Sequence, residues 1–209
     1  MNGMTPAVHV VDDDASFRGA LVRMLTARGY HAAAYSSGED FLARGSQGCG
    51  CVVADLRMPQ LDGLALQAAC ARNDDAMPFV FLSGNGDVPS AVTALKHGAV
   101  DFLEKCAPHE ALLAAINGAL QRDLIARSTR ARQRQVRERL ASLSEREQQV
   151  LALVVRGRMN KQIAGDLDIH ERTVKLHRTA ITGKLGVRSV AELTTLVHEI
   201  QNPPGVTLS

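Results

Sequence analysis

Residues 52–64 read VVADLRMPQLDGL, and this stretch decides the fold of the N-terminal half. It opens with a run of small and β-branched residues, which is typical of a buried strand. The run ends on a carboxylate, Asp55, and a Met-Pro pair and an Asp-Gly pair follow before a helical pattern begins. Acidic residues are rare in protein interiors, so a carboxylate at the end of a buried strand indicates a chemical role.

Around this stretch, strand and helix patterns alternate five times over residues 1–120. The strands are predicted at 7–11, 31–35, 51–54, 79–82 and 100–103, and the helices at 16–29, 36–42, 63–73, 90–98 and from Pro108 onward. Such alternation predicts a parallel sheet with helices on both faces. Strands covered on both faces should read as continuous apolar runs, and three of the five do.

Length and composition fit one domain of average size and a smaller one, with 209 residues and 45% hydrophobic residues. No segment has the roughly 20 apolar residues of a membrane helix, and the N-terminus lacks the pattern of a signal peptide. We therefore expect a cytoplasmic protein. The four cysteines form no zinc or redox spacing, so we expect free, reduced thiols.

The charge is distributed unevenly between the two halves. Residues 1–120 carry 8 Lys/Arg against 13 Asp/Glu, whereas residues 121–209 carry 16 against 9. A basic half is a candidate for nucleic-acid binding, although a solvated basic surface is the alternative. With no Trp and two Tyr, stacking platforms for single strands are not expected.

The C-terminal half divides into three parts. Residues 121–142 are rich in arginine and lack Gly and Pro, which favours a polar helix between domains over a flexible linker. Residues 143–201 predict four helices, the first with a capping box of Ser144 and Glu147. Two short helices meet near residues 168–170, which indicates a helix-turn-helix. Residues 202–209 are expected to be a disordered tail.

Several polar residues directly follow the predicted strands. In open parallel sheets, ligands bind outside the carboxyl ends of the strands. The residues expected at these carboxyl ends are Asp12, Asp13, Asp14, Asp55, Ser83 and Lys105. Adjacent carboxylates repel by about 4 kcal/mol per pair at 4 Å, so a cation has to compensate them. Oxygen ligands favour Mg²⁺, or Mn²⁺ in its place.

A divalent cation beside a carboxylate, a hydroxyl and a lysine suits a phosphoryl-acceptor site. Asp55 is then the nucleophile that forms an acyl phosphate. The cation and Lys105 neutralise charge on the transferring group, and Ser83 donates a hydrogen bond to it.

Four motifs of residues 7–120 resemble the receiver domain of two-component response regulators: VVDDD, DLRMPQLDG, FLSGNG and DFLEK. The resemblance implies a flavodoxin-like, five-stranded parallel sheet of order 2-1-3-4-5 with helices on both faces. It makes Asp55 the phosphorylation site, Ser83 and Lys105 the phosphoryl-binding residues, and Phe102 an aromatic switch. It assigns the metal to Asp12, Asp13, Asp55 and the backbone carbonyl of Arg57, with Asp13 a direct ligand.

The chain departs from this family after the lysine, where Cys106 replaces the usual proline. The family often has a cis bond at this point. A cis bond without proline costs about 2.5–4 kcal/mol, so the Lys105–Cys106 bond is either trans, or cis and held by strain.

Residues 143–200 resemble the DNA-binding domain of the LuxR/NarL/FixJ class in LSEREQQVL, MNKQIAGDL, RTVKLHR and KLGVRS. The amphipathic helix at 171–185 would lie in the major groove. By position, the base edges face Lys175, Leu176 and Thr179, and the DNA phosphates face Lys161, Thr173, His177 and Arg178. The two domains together most resemble the FixJ-like branch.

These observations predict a transcription regulator that a sensor histidine kinase phosphorylates on Asp55. The phosphorylated form is expected to be a homodimer on double-stranded DNA, without a membrane partner. One alternative is a Mg²⁺-dependent phosphotransferase or phosphatase with an Asp nucleophile. The other is a DNA-binding regulator that is indifferent to phosphorylation.

Overall fold

A computed structural model describes residues 5–45, 48–72, 76–84 and 88–201. The tail predicted to be disordered, residues 202–209, lies outside these ranges. The chain forms two compact units, Met1–Arg127 and Ser128–Ser209, which are treated separately below. Within the described ranges, no helix combines the length and the hydropathy that crossing a bilayer requires.

The first unit is a five-stranded parallel sheet with helices on both faces. Its strands are β1 (Ala7–Val11), β2 (His31–Tyr35), β3 (Gly50–Asp55), β4 (Phe79–Ser83) and β5 (Asp101–Glu104), in the spatial order β2-β1-β3-β4-β5. Its helices are α1 (Ala15–Ala27), α2 (Gly38–Arg44), α3 (Gly63–Cys70), α4 (Val88–Lys96) and α5 (His109–Ala141). The predicted fold class and strand order are confirmed.

Alternating residues of β3 pack into two separate hydrophobic cores. Val52 and Ala54 pack on one face, in the cluster that includes Phe41 of α2 and Leu66 of α3. The other face buries Cys51 and Val53 in the cluster of α1 and α5, which includes Leu25 and Ile116. Because both faces are covered, every residue of β3 is buried, which explains the continuous apolar run in its sequence.

β3 can begin only at a glycine. Gly50 has φ +134°, and a Cβ atom there would lie 1.8 Å from the carbonyl oxygen of Ala7 in the neighbouring strand. Backbone at this separation leaves no room for any side chain, so residue 50 fixes the position at which β3 joins β1.

Helix α5 runs without interruption for 33 residues and includes nearly all of the segment predicted to be a helical linker, residues 121–142. One face of it contacts the sheet through Leu112, Ala115, Ile116 and Ala119. One turn further on, Asp123 is 3% exposed and accepts a hydrogen bond from the backbone N–H of Gly50 at 2.9 Å. Arg127 lies 2.8 Å from Asp123 and also donates to the carbonyl of Gly48. We call these contacts the Asp123 clamp.

The second unit contains the predicted four helices. They are α6 (Glu145–Val155), α7 (Asn160–Leu167), α8 (Glu171–Leu185) and α9 (Val190–Gln201). Their apolar faces meet in a single core that includes Val150, Ile163, Val174 and Ile181. Asp168 ends α7 in the left-handed conformation, with φ 52°, and turns the chain into α8. The arrangement is the helix-turn-helix that the sequence predicted.

The predicted capping box at the start of α6 is present, and an ion pair connects it to α8. Ser144 and Glu147 exchange their reciprocal hydrogen bonds, at 3.3 and 2.7 Å, and Lys184 of α8 lies 2.7 Å from Glu147. The ammonium of Lys184 and the backbone N–H of Ser144 both favour the ionised form, and they hold the pKa of Glu147 below its usual range.

We expect Glu147→Gln to lower the melting temperature of the second unit at pH 7. A glutamine keeps the capping box but cannot pair with Lys184. Since the folded state lowers the pKa of Glu147, this stabilisation exists above about pH 4.3, the pKa of the unfolded chain, and is lost as the pH falls through the folded value. Thermal unfolding at pH 7 and pH 3 should therefore show a difference between the natural chain and the variant that shrinks at the lower pH. Glu145→Gln, in the same first turn, is the control, and an equal shift for both variants would contradict the pairing.

The cysteines should differ in reactivity because they differ in burial. Burial raises the pKa of Cys51 to about 12 and that of Cys70 to about 11, whereas Cys106 is exposed. The thiolate is the reactive form, so we expect a disulfide reagent to modify Cys106 in the folded protein and the two buried thiols only after unfolding. Mass mapping of the labelled peptides checks this, with Cys106→Ser as the control, and fast native labelling of Cys51 would contradict it.

Candidate functional site

Three carboxylates from two neighbouring strands meet at the carboxyl edge of the sheet. Asp12 and Asp13 follow β1, and Asp55 is the last residue of β3. One oxygen of each lies within 4.8 Å of the others. Asp12 and Asp55 are buried, while Asp13 is exposed to solvent. Asp14, the next acid, does not join them, because it caps α1 by accepting from the backbone N–H groups of Ser16 and Phe17.

Lys105 enters this cluster from the loop after β5. Its Nζ lies 2.8 Å from Asp12 and 3.0 Å from Asp55. The ammonium also sits 4.6 Å from the ring centre of Phe17, a cation–π contact that the sequence did not reveal. The peptide bond between Lys105 and Cys106 is trans, so the first of the two alternatives given above holds where Cys106 replaces the usual proline.

The pKa values in this cluster reflect burial and pairing. Burial raises the pKa of Asp12, and its hydrogen bond with Lys105 offsets this only in part. Burial lowers the pKa of Lys105, but the hydrogen bonds to the two carboxylates outweigh it and raise the pKa above its usual value. The lysine is therefore charged at neutral pH.

Of the other predicted residues of this site, Ser83 and Arg57 lie at the same edge, whereas Phe102 pairs with Phe81 within the sheet. Ser83 ends β4, is 2% exposed, and its carbonyl accepts from the backbone N–H of Lys105 at 2.8 Å. Phe102 lies on β5, is half-buried and packs against the α2–α3 core. The backbone N–H of Arg57 donates to Asp55 at 3.4 Å. The roles predicted for these residues stay predictions.

The cluster suits a small, hard cation. An ion that binds oxygens at 2.0–2.1 Å holds opposite ligands about 4.2 Å apart. Two oxygens bound to one such ion can be no further apart than this, and the three carboxylate oxygens lie within 4.8 Å of one another. Gly63 keeps this edge compact, because a Cβ atom there would lie 2.5 Å from the carbonyl oxygen of Asp55.

The second unit carries a basic helix with one apolar side chain directed to solvent. The inner face of α8 buries Val174, Ile181 and Leu185. Leu176 is 65% exposed on the opposite side, an uncommon position for a leucine beside charged residues. Lys161 on α7 and the α8 residues Lys175 and Thr179 are also exposed, and Thr173, His177 and Arg178 are half-buried.

Two basic side chains of this helix contact residues on other helices of the unit. Arg178 donates to the side chain of Asn160 at 2.8 Å, which fixes the first turn of α7 against α8. Lys184 is engaged by Glu147, as described above. The spacing of charges along α8 gave no sign of these pairings, since each partner lies on another helix.

Two family models match the chain over these two regions. Residues 8–117 match the response regulator receiver domain. Residues 141–197 match the bacterial regulatory proteins of the LuxR family.

Named relatives extend over nearly the whole chain. It is 39% identical over 203 residues to the response regulator protein TodT of Pseudomonas putida, covering 97% of this chain and 89% of TodT. It is 40% identical over 190 residues to the transcriptional regulatory protein FixJ of Rhizobium meliloti, covering 90% of this chain and 93% of FixJ.

Solved structures show the same architecture. The response regulator StyR has a TM-score of 0.84 and 44% identity, over 93% of this chain and 99% of StyR. Full-length FixJ from B. japonicum has a TM-score of 0.56 and 36% identity, over 95% of this chain and 98% of FixJ.

Proposed function

The chain belongs to the two-component response regulators that join a receiver domain to a LuxR-type DNA-binding domain, and on this premise we propose that Asp55 accepts the phosphoryl group. The observation that supports this role most strongly is the cluster of Asp12, Asp13, Asp55 and Lys105 at one edge of the sheet. Regulators of this family act in transcription, and their two domains imply a histidine kinase and DNA as partners.

The proposed reaction is an in-line transfer to a carboxylate oxygen of Asp55. That oxygen attacks the phosphorus of a phosphohistidine on the kinase, the P–N bond breaks, and the electron pair returns to the imidazole. Lys105, already 3.0 Å from Asp55, balances charge on the phosphoryl oxygens. Ser83 then donates a hydrogen bond to the attached group.

The residues that would hold the metal are Asp12, Asp13, Asp55 and the backbone carbonyl of Arg57. A Mg²⁺ ion, or Mn²⁺ in its place, supplies positive charge beside the transferring phosphoryl group. The buried carboxylate of Asp12 is held in place by the backbone N–H of Asp14 at 2.9 Å. Its orientation is thus set before any ligand binds.

We also propose that the phosphorylated chain dimerises and binds DNA. Val88, Val92 and Leu95 form an exposed apolar stripe on α4, at the spacing of one helix face. This stripe supports a phosphorylation-dependent homodimer formed through the α4 side of the receiver domain. In the second unit, exposed Lys175 and Leu176 suit a guanine edge and a thymine methyl in the major groove.

We propose that the chain carries out no enzymatic reaction beyond its own phosphorylation and dephosphorylation. We further propose that it acts in the cytoplasm, with a kinase domain and chromosomal DNA as its partners and without a membrane partner.

The test is genome-wide footprinting of the full chain with and without beryllium fluoride, a mimic of the acyl phosphate. We expect occupied sites to appear as paired half-sites, and their affinity to rise about tenfold or more with the mimic. Equal occupancy in both states would overturn control by phosphorylation and leave a DNA-binding protein with an inert receiver domain.

A further inference from the structure

The Asp123 clamp lies far from the phosphoacceptor, at the opposite end of the same strand. β3 begins at Gly50, whose N–H donates to Asp123, and ends at Asp55. The reaction and the DNA contacts proposed above do not include the residues of the clamp.

The clamp continues the face by which α5 packs on the receiver domain. Ala119, Asp123 and Arg127 follow one another at intervals of four residues, so they share that face. In this row the contacts up to Ala119 are apolar, and those of Asp123 and Arg127 are hydrogen bonds and an ion pair. The change occurs in the last two turns before the first compact unit ends at Arg127.

The two kinds of contact differ in how strongly they restrain the rotation of a helix. Apolar contacts are non-directional and tolerate small rotations of a helix. Hydrogen bonds and a paired carboxylate fix direction, and breaking a buried pair leaves an uncompensated charge. A buried ion pair is weak evidence for stability, and its better attested use is to fix register.

Both oxygens of the Asp123 carboxylate accept hydrogen bonds. It accepts from Gly50 at 2.9 Å, and Arg127 Nε donates to both of its oxygens, at 2.9 and 2.8 Å. Arg127 in turn donates to the carbonyl of Gly48. Two turns of α5 are thus attached to a single short backbone segment ahead of β3.

We propose that Asp123 and Arg127 are positioning residues that set the rotation of α5 where it leaves the receiver domain, and that the effect of phosphorylation on DNA affinity depends on them. This inference rests on the proposed function. It assigns to the buried pair a role in coupling the two domains rather than a role in the chemistry at Asp55.

The experiment uses the full chain and the variants Asp123→Asn and Arg127→Gln. For each we measure phosphate labelling from acetyl phosphate, and the ratio of DNA affinities with and without beryllium fluoride. We expect labelling to stay within about twofold of the natural chain, because the acid cluster is untouched. The affinity ratio should fall about fivefold or more, which is the scale of coupling between sites.

Arg122→Gln is the matched control. It removes the same charge from the same helix, but Arg122 is exposed and its bond to Gly98 is 3.3 Å long. We expect it to keep the affinity ratio. Hydrogen exchange at residues 48–50 and 121–127 should rise in the clamp variants and not in the control.

Two results would overturn the proposal. If the clamp variants lose melting temperature but keep the affinity ratio, the pair is purely structural. If Arg122→Gln lowers the ratio equally, charge on α5 matters and the clamp does not. Should Asp123→Asn fail to fold, Arg127→Gln alone decides, since its partly exposed side chain leaves the core intact. Absence of any effect of beryllium fluoride on the natural chain would instead refute the proposed function.

Discussion

Asp55→Asn should abolish phosphate labelling of the chain, both from a cognate kinase and from acetyl phosphate. The amide keeps the size and most of the packing of the carboxylate, but its oxygen is not a nucleophile of the kind that forms an acyl phosphate. The label on the natural chain should be lost on mild alkaline treatment, as expected of an acyl phosphate. Intact-mass measurement after incubation with acetyl phosphate and Mg²⁺ checks the result.

The best control is Asp62→Asn. Asp62 is an exposed carboxylate seven residues along the same loop, and it caps α3 by accepting from the backbone N–H of Ala65 at 2.7 Å. Asparagine is an equally good cap, so the fold is preserved while one nearby negative charge is lost. We expect normal labelling. Label that persists on Asp55→Asn in an acid-stable form would point to a hydroxyl acceptor and refute the proposed site.

Lys175→Ala should weaken specific DNA binding by about 5- to 150-fold, the range for one bidentate contact to a base. Lys175 projects from the exposed face of α8, where its nearest partner is Glu171 at 3.5 Å. That surface pair contributes little, so the alanine variant should fold normally. The loss should be larger for the cognate site than for random DNA, which band-shift titrations at fixed salt can measure.

Lys161→Ala separates base contacts from phosphate contacts. Lys161 is exposed on α7, beside α8, and is predicted to contact a phosphate. Its loss should weaken cognate and random DNA alike and reduce the salt slope by about one. If Lys175→Ala behaves in the same manner as Lys161→Ala, then Lys175 contacts the backbone and the predicted base contact is wrong.

Much of the first unit could be predicted because its three central strands, β1, β3 and β4, are short and buried on both faces. The run that ends on Asp55 marked β3 to within a residue, and the alternation of elements led to a parallel sheet. β2 was identified although its residues are largely half-buried or exposed, since it lies between two clear helices. Residues that follow strands could be assigned to one edge because parallel strands share their direction.

Contacts between distant parts of the chain could not be predicted. Asp123 and Gly50 are 73 residues apart, and neither periodicity nor composition links them. The aromatic contact of Lys105 with Phe17 and the bond of Arg178 to Asn160 are of the same kind. The long helix was divided at residue 120 because its apolar spacing fades there, whereas hydrogen bonds replace apolar contacts on the same face.

The Asp123 clamp also decides how the receiver domain can be studied in isolation. A fragment that stops at residue 120 would discard the carboxylate that satisfies the Gly50 N–H and the guanidinium that binds Gly48. The strand bearing the phosphoacceptor would then start from an unpaired amide, at a cost of about 1–3 kcal/mol. Recombinant fragments should therefore retain α5 through Arg127, and versions that stop at residue 120 are expected to unfold more easily and to be more readily degraded.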